Sequence, residues 1–152
     1  RAKATGYSDS YFSLATVPLT LKSNADKYKD WEDLNNADVR VAATLGTTQE
    51  KQVKQYFPNA KHVIVEAPAQ PFQQVLSGRA DAHITSNVEA NKLVAIHSDL
   101  MIVPVSAPKS PTPIAMLLPQ ADQVWINYVN TWIKLKQERG FFKELDDKWK
   151  LN

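Results

Sequence analysis

The chain has 152 residues, of which 43% are hydrophobic, and a formal net charge of +2 from 18 basic and 16 acidic side chains. This length and composition suit a globular protein with one core and exclude a disordered or collagen-like chain. The charges are scattered, without the basic stretch expected of a nucleic-acid-binding protein. The sequence contains no cysteine, which excludes a disulfide scaffold, a thiolate zinc site and a cysteine nucleophile.

The first element in chain order is an extended strand over residues 11–21, in which Pro18 predicts an edge-like or bulged break. A short helical turn is expected at residues 30–34. From residue 39 onwards, short apolar strands alternate with helices. The strands are predicted at residues 39–44, 62–65, 82–85 and 101–105, and the helices at residues 48–56, 70–76 and 88–96. This alternation predicts an α/β fold with a mainly parallel sheet and helices on both faces.

A Pro-rich segment precedes the last predicted strand and the two C-terminal helices. Residues 105–113 are Pro-rich and lead into the apolar residues 114–118, which we interpret as a second crossing strand. Two helices are predicted after it, the first ended by Gly140 and the second over residues 141–149. Large aromatic side chains on these helices need an apolar surface to cover: Trp125, Trp132, Phe142 and Trp149. No apolar run approaches the roughly 20 residues of a membrane-spanning helix.

The sharpest local pattern is the turn between a strand and a helix at residues 45–50 (LGTTQE). Thr47 and Glu50 have the spacing of a capping box. The unpaired amides and the dipole at a helix start favour a carboxylate or phosphate, and open α/β sheets bind ligands beyond the carboxyl ends of their strands. An ordinary capped helix with nothing bound explains the same residues equally well.

Several segments form a pattern through their order and spacing: residues 46–50 (GTTQE), 76–82 (LSGRADA), 140–142 (GFF) ahead of Lys148-Trp149, and Arg1 followed by residues 7–11 (YSDSY). Together they resemble the amino-acid-type periplasmic solute-binding proteins of ABC importers, bacterial family 3. The resemblance covers essentially the whole chain. It implies a periplasmic-binding-protein type II clamshell, whose two lobes close on a small ligand about two crossing strands.

The resemblance also implies a domain organisation. Residues 18–113 would be a complete second lobe. Residues 1–17 would hold the end of the first lobe and the first hinge strand, and residues 114–152 the second hinge strand and the helices that pack on the first lobe. The N-terminal part of the first lobe would then come from further polypeptide or from a swapped copy.

A ligand site follows from the same resemblance. Arg1 would grip a ligand carboxylate, which Thr47 and Thr48 would also contact. The implied ligand-binding residues are Arg1, Thr44, Gly46, Thr47, Thr48, Gln49 and Ser86. Ser86 stands where the family usually has an aspartate that pairs with the ligand ammonium. A neutral hydroxyl cannot supply that charge, so Glu89, one helical turn further on, would have to replace it.

A second resemblance favours an enzyme. Residues 85–90 (TSNVEA), 72–74 (FQQ) and 117–119 (LLP) are similar to cyclohexadienyl dehydratase, which has the same fold. The resemblance implies that Glu89 is a general acid, which protonates the departing hydroxyl of prephenate or arogenate without a cofactor. Ser86 and Glu89 also have capping-box spacing, which explains Glu89 as a helix-start residue. We interpret His83, between apolar neighbours, as a partly buried histidine with its hydrogen bonds satisfied rather than as a catalytic base.

The sequence therefore predicts an extracytoplasmic solute-binding protein of an ABC importer. It would bind a small carboxylate or amino acid and interact with a membrane permease, without cofactor, metal or nucleic acid. The three histidines lack the spacing of a local metal site. The dehydratase is the alternative, and a sensory clamshell domain of a receptor is a third possibility.

Overall fold

A computed structural model of the protein describes residues 5–149 and residue 151. Thr16–Ser110 form one compact unit, here called the α/β unit. The chain up to Ala15 and from Pro111 onwards forms a second one, here called the helical unit.

The secondary-structure elements range from 2 to 16 residues in length. The strands are β1 (Gly6–Tyr7), β2 (Phe12–Leu21), β3 (Arg40–Thr44), β4 (Lys61–Val65), β5 (Ala82–Ser86), β6 (Leu100–Ile102), β7 (Lys109–Ile114) and β8 (Leu117–Leu118). The α-helices are α1 (Trp31–Leu34), α2 (Thr48–Tyr56), α3 (Pro71–Leu76), α4 (Asn87–Ile96), α5 (Gln123–Glu138) and α6 (Phe141–Trp149). A 3₁₀ turn at Lys22–Asn24 follows β2.

The central sheet has the strand order β4-β3-β5-β2-β6, and β7 also pairs with β2. β3 is parallel to both β4 and β5. β2 lies antiparallel between β5 and β6. The predicted parallel βαβ arrangement is therefore confirmed for β3, β4 and β5. Strand β2, which precedes them in the chain, runs antiparallel to its neighbours in the same sheet.

The break predicted at Pro18 is wrong, because β2 is continuous and has neighbours on both sides. Pro18 lies opposite Ile84 of β5, and its carbonyl accepts a hydrogen bond from Val103 N at 2.9 Å. In an antiparallel strand the N–H and C=O of one residue point to the same side. The missing N–H of Pro18 would therefore face the Val103 carbonyl. This carbonyl accepts a hydrogen bond from Val105 N at 2.8 Å instead, so the proline does not leave it unpaired.

Helices cover both faces of the sheet, as predicted. Successive residues of β3 point to opposite faces: Val41 and Ala43 pack in a core cluster that includes Phe57, whereas Ala42 belongs to a second cluster with Leu93. Helices α1 and α2 contribute to the first cluster, and α3 and α4 contribute to the second.

An ion pair joins the amino ends of β3 and β5. Arg40 Nε donates to Asp81 Oδ2 at 2.9 Å and its Nη2 donates to Oδ1 at 3.1 Å, while the Arg40 backbone N–H donates to Oδ2 at 2.9 Å. Burial acts to raise the pKa of Asp81, but these hydrogen bonds outweigh burial and hold the pKa below its ordinary value. Asp81 thus has a structural role at the sheet edge opposite the carboxyl ends of β3 and β5.

The second crossing strand differs from its prediction at residues 114–118. The extended segment is β7, which begins within the Pro-rich stretch, and residues 117–118 form the separate strand β8 paired with β1. Among the described strands, β7 pairs only with β2. It is therefore an edge strand of this sheet, where proline is tolerated because one side of the backbone needs no partner.

The helical unit packs α5 and α6 around a small core of Leu118, Val129 and Ile133. Gly140 adopts φ +72° directly after Arg139, the C-cap of α5, which suits a glycine that ends a helix. Of the predicted aromatic residues, Phe142 stacks on Tyr11 with ring centroids 5.6 Å apart. Trp125, Trp132 and Trp149 remain exposed. None of the helices in the described residues has the length and apolarity that crossing a membrane requires.

Candidate ligand-binding site

A cavity of about 200 Å³ opens in the α/β unit at the carboxyl ends of β3 and β5. Because these strands are parallel, their carboxyl ends lie at the same edge of the sheet, where open α/β folds bind ligands. The first residues of α2, α3 and α4 also reach this edge. The cavity is lined by Thr44, Thr47, Gln49, Gln70, Pro71, His83, Thr85 and Glu89.

Thr47 orders the loop between β3 and α2. Its hydroxyl donates to the Thr44 carbonyl at 2.6 Å and accepts a hydrogen bond from Glu50 N at 3.3 Å, so Thr47 is the N-cap predicted from the sequence. Gly46 adopts φ +75° in the same loop. The hydroxyl proton of Thr47 is used within the loop, which leaves the first-turn amides of α2 as donors for a ligand.

Glu50 places a carboxylate of the chain itself at this helix start. It accepts a hydrogen bond from Gly46 N at 2.7 Å and one from Lys54 Nζ at 2.6 Å. Hydrogen bonds from Lys54 and then from Gly46 lower the pKa of Glu50, so its carboxylate is ionised. The Gly46 amide is therefore occupied, and an anion at this loop would have Thr48 N and Gln49 N as its nearest donors.

Ser86 and Glu89 occupy the start of α4. Ser86 Oγ accepts a hydrogen bond from Glu89 N at 3.2 Å and caps the helix. The Glu89 carboxylate accepts a short hydrogen bond from the Thr85 hydroxyl and lines the cavity. Glu89 therefore combines the helix-start position with a carboxylate that is available in the cavity.

His83 is 5% exposed, and its Nδ1 lies 3.1 Å from the Ala42 carbonyl oxygen. A carbonyl only accepts, so Nδ1 carries the proton and Nε2 of the neutral ring carries a lone pair. Burial lowers the pKa of His83, although the backbone hydrogen bond and the charge of Glu89 act in the opposite direction. The interpretation of a buried histidine is confirmed, but His83 also lines the cavity.

The structure brings four of the predicted site residues to the cavity wall: Thr44, Thr47, Gln49 and Glu89. Gly46, Thr48 and Ser86 lie in the adjoining loop and helix caps. Arg1 lies outside the described residues. Over residues 5–149 and 151, no group of three or more histidine and acidic side chains is placed to hold a metal ion.

Sequence reasoning missed several lining residues: Gln70, Pro71, His83 and Thr85. The last two had a detectable signal, because polar His83 and Thr85 alternate with apolar Ala82 and Ile84 along β5. Such alternation places the polar pair on one face of a strand. Gln70 had no comparable pattern, since its position depends on where α3 packs.

No protein-family model matches the chain. The chain is 25% identical over 149 residues to cyclohexadienyl dehydratase of Pseudomonas aeruginosa, and this match covers 98% of the chain and 55% of the relative. It is 24% identical to the ABC transporter glutamine-binding protein GlnH of Bacillus subtilis, with 98% and 53% covered. The chain thus spans about half the length of these curated relatives.

Among solved structures, an ancestral cationic amino acid solute-binding protein superposes with a TM-score of 0.82 at 36% identity, over 98% of this chain and 63% of that one. The relatives and structural neighbours are therefore amino-acid solute-binding proteins of bacterial family 3 and proteins related to cyclohexadienyl dehydratase, as the resemblance predicted. The chain has part of a periplasmic-binding-protein type II fold.

Proposed function

We propose that this protein is the extracytoplasmic solute-binding component of an ABC importer. It binds an amino acid or another small carboxylate between two lobes, one of which contains the α/β unit, and presents the ligand to a membrane permease. The observation that carries the proposal is the polar cavity at the carboxyl ends of β3 and β5, lined from three helix starts. The ABC transporter relative supports this role.

The ligand carboxylate binds at the start of α2 in this proposal. Thr48 N and Gln49 N are unpaired by helix geometry, and the positive end of the helix dipole favours an anion there. Thr44, Gly46 and Thr47 shape the loop beneath it, and Ser86 holds the start of α4. Arg1 provides a further cation for the same carboxylate.

We also propose that additional polypeptide completes the lobe that contains the helical unit. Two observations support this: the chain spans about half of its curated relatives, and the helical unit exposes an apolar groove of about 280 Å³. This groove is lined by Met116, Trp125, Tyr128, Val129 and Trp132. A preceding segment of the same protein gives a monomer in solution, whereas a swapped copy gives a dimer, and analytical ultracentrifugation distinguishes them.

The alternative function is a cofactor-independent dehydratase. It is favoured by the position of the Glu89 carboxyl in the cavity and by the Pseudomonas aeruginosa relative. Protonated Glu89 would transfer its proton to the ring hydroxyl of prephenate, which leaves as water while the ring carboxylate leaves as carbon dioxide and its bonding electrons complete the aromatic ring. The product would be phenylpyruvate, or phenylalanine from arogenate.

The test is thermal unfolding of the full-length protein with a panel of amino acids, dicarboxylates, prephenate and arogenate. A ligand at a hundred times its Kd stabilises a one-site protein by about 2.7 kcal/mol. Recovery of that ligand unchanged supports a binding protein. Formation of phenylpyruvate or phenylalanine, lost in Glu89→Gln, establishes the dehydratase. If no compound raises the unfolding temperature, the solute-binding proposal is wrong.

A further inference from the structure

We propose that Tyr56 and Lys109 form a latch that holds Ser110 in the left-handed backbone conformation, so that the chain leaves the α/β unit through a two-state switch. The α/β unit ends at Ser110, and the helical unit resumes at Pro111. The three residues of the latch do not line the ligand cavity, so the switch does not depend on which compound the protein binds.

Ser110 has an unfavourable backbone conformation. Its φ is +49°, and within residues 5–149 and 151 it is the only residue other than glycine with a positive φ. A β-carbon disfavours this region, and Pro111 favours an extended conformation at the residue before it. Ser110 would therefore adopt a negative φ unless its surroundings held it. Residues held in such conformations are frequent in segments that switch between two states.

The Tyr56 hydroxyl is the first part of the latch. It forms a short hydrogen bond with the Ser110 hydroxyl. Tyr56 ends α2, and its ring packs edge-on against Trp31 with centroids 5.7 Å apart, which fixes the position of the hydroxyl. One hydrogen bond stabilises a protein by about as much as a left-handed residue costs. The two backbone states of Ser110 are therefore close in free energy, and loss of this bond is enough to reverse their order.

The Lys109 side chain is the second part of the latch. Its Nζ lies 5.0 Å from the ring centroid of Trp31 and 4.8 Å from that of Tyr56, within the range of cation–π interactions. Trp31 also binds the chain just before Lys109, because its Nε1–H donates to the Ala107 carbonyl at 2.8 Å. The segment that leads to Ser110 is thus fixed to α1 and α2.

The chain after Ser110 follows the direction that this residue sets. Pro111, Thr112 and Pro113 are exposed, and neither proline has an N–H for pairing with β2. Since the residues before Ser110 are held by α1 and α2, a change of its φ to the extended region redirects the residues that follow. The latch therefore determines how β7 continues out of the α/β unit.

NMR spectroscopy of the full-length protein with ¹³C-labelled serine tests the switch, because Cα and Cβ chemical shifts differ between left-handed and extended residues. Ser110→Ala assigns the Ser110 signals. We expect left-handed shifts in the wild type and a displacement towards extended values in Tyr56→Phe, which removes only the hydroxyl. Lys109→Met, which removes the charge, should displace them in the same direction. Tyr128→Phe, at an exposed tyrosine of the helical unit, is the matched control and should leave them unchanged.

Hydrogen exchange gives a second measurement on the same full-length variants. Tyr56→Phe removes the stabilisation of one hydrogen bond, so the amides of residues 109–114 should exchange about two- to tenfold faster than in the wild type. The amides of β3, in the interior of the sheet, should exchange at the wild-type rate.

Two results would overturn the latch. Extended shifts of Ser110 in the wild type would show that there is no strained state to hold. Left-handed shifts that persist in both Tyr56→Phe and Lys109→Met would show that neither side chain holds it. Should Tyr56→Phe fail to fold by circular dichroism, Lys109→Met decides the question. The solute-binding proposal is tested separately by the ligand panel and does not depend on these results.

Discussion

Gly46 shows how one backbone angle shapes the loop between β3 and α2. Its φ of +75° disfavours any residue with a side chain, although nothing lies within 4 Å of the position that a Cβ would take. The requirement is thus conformational rather than steric. We expect Gly46→Ala to lower the free energy of unfolding by about 1–2 kcal/mol, and Gly46→Asn by less, because asparagine tolerates this region better. Urea denaturation measures both, and equal stability of all three proteins would contradict the prediction.

The Arg40–Asp81 ion pair makes the α/β unit sensitive to acid. The pKa of Asp81 in the folded protein lies below its ordinary value of 3.8, so its contribution to stability is present above about pH 4 and is lost as the pH falls through the folded pKa. At neutral pH, Asp81→Asn should be less stable by about 1–2 kcal/mol. The difference from the wild type should shrink below pH 4 in denaturation curves. A difference that grows on acidification would contradict this sign.

Residue by residue, the sequence predicted the caps of the loop between β3 and α2 better than the charged contacts around it. Thr47 as a helix cap followed from its spacing to Glu50, because capping depends on a few neighbouring residues. The hydrogen bond from Gly46 N to the Glu50 carboxylate could not be predicted, because a capping box pairs this carboxylate with the backbone amide of the N-cap residue instead. Similarly, His83 could be recognised as buried from its neighbours, but only the packed sheet shows that it reaches the cavity.

Helix α1 is only one turn long, yet it anchors one face of the sheet through Trp31. This side chain is 4% exposed and stacks on Phe57 with ring centroids 5.7 Å apart, and its Nε1–H donates to the Ala107 carbonyl at 2.8 Å. Asp30 caps the helix in a capping box with Asp33. A single indole therefore joins the first helix, the end of α2 and the segment before β7.

Replacing Trp31 should have a larger effect than replacing an exposed tryptophan. Trp31→Phe removes the hydrogen bond to Ala107 and part of the buried ring, and we expect a loss of about 1–3 kcal/mol in the free energy of unfolding. Trp149→Phe is the control, because Trp149 is 66% exposed and such surface changes usually lie within about 0.5 kcal/mol. Equal losses in urea denaturation would show that Trp31 does not anchor this face.

At the level of elements, helix and strand positions in residues 39–102 could be predicted because each carries its own apolar periodicity. The two errors in the predicted strands both lie at proline residues. Pro18 suggested an interruption, yet the Val103 carbonyl that its N–H would face accepts a hydrogen bond from Val105 N instead. The prolines of residues 105–113 suggested a connector, yet an edge position allows β7 to form there. Both outcomes depend on which strands are neighbours, and pairing is not encoded locally.

The whole molecule consists of a continuous α/β unit and a helical unit made from both ends of the described chain. The α/β unit contains two core clusters on the faces of a six-stranded sheet, whereas the helical unit has a single small core. We therefore expect residues 12–114, which include β2 and β7 in full, to fold alone. Cooperative thermal unfolding of this fragment is the measurement, and a broad, non-cooperative transition would contradict the prediction.

The pairing of β2 with β7 also bears on how this unit could be reused. Because the chain enters the α/β unit along one strand and leaves along its hydrogen-bonded neighbour, both ends of the unit emerge side by side. Domains with adjacent termini tolerate insertion into a surface loop of a host protein and circular permutation. The α/β unit therefore has the connectivity of a module that can be inserted as a whole into a loop of another protein.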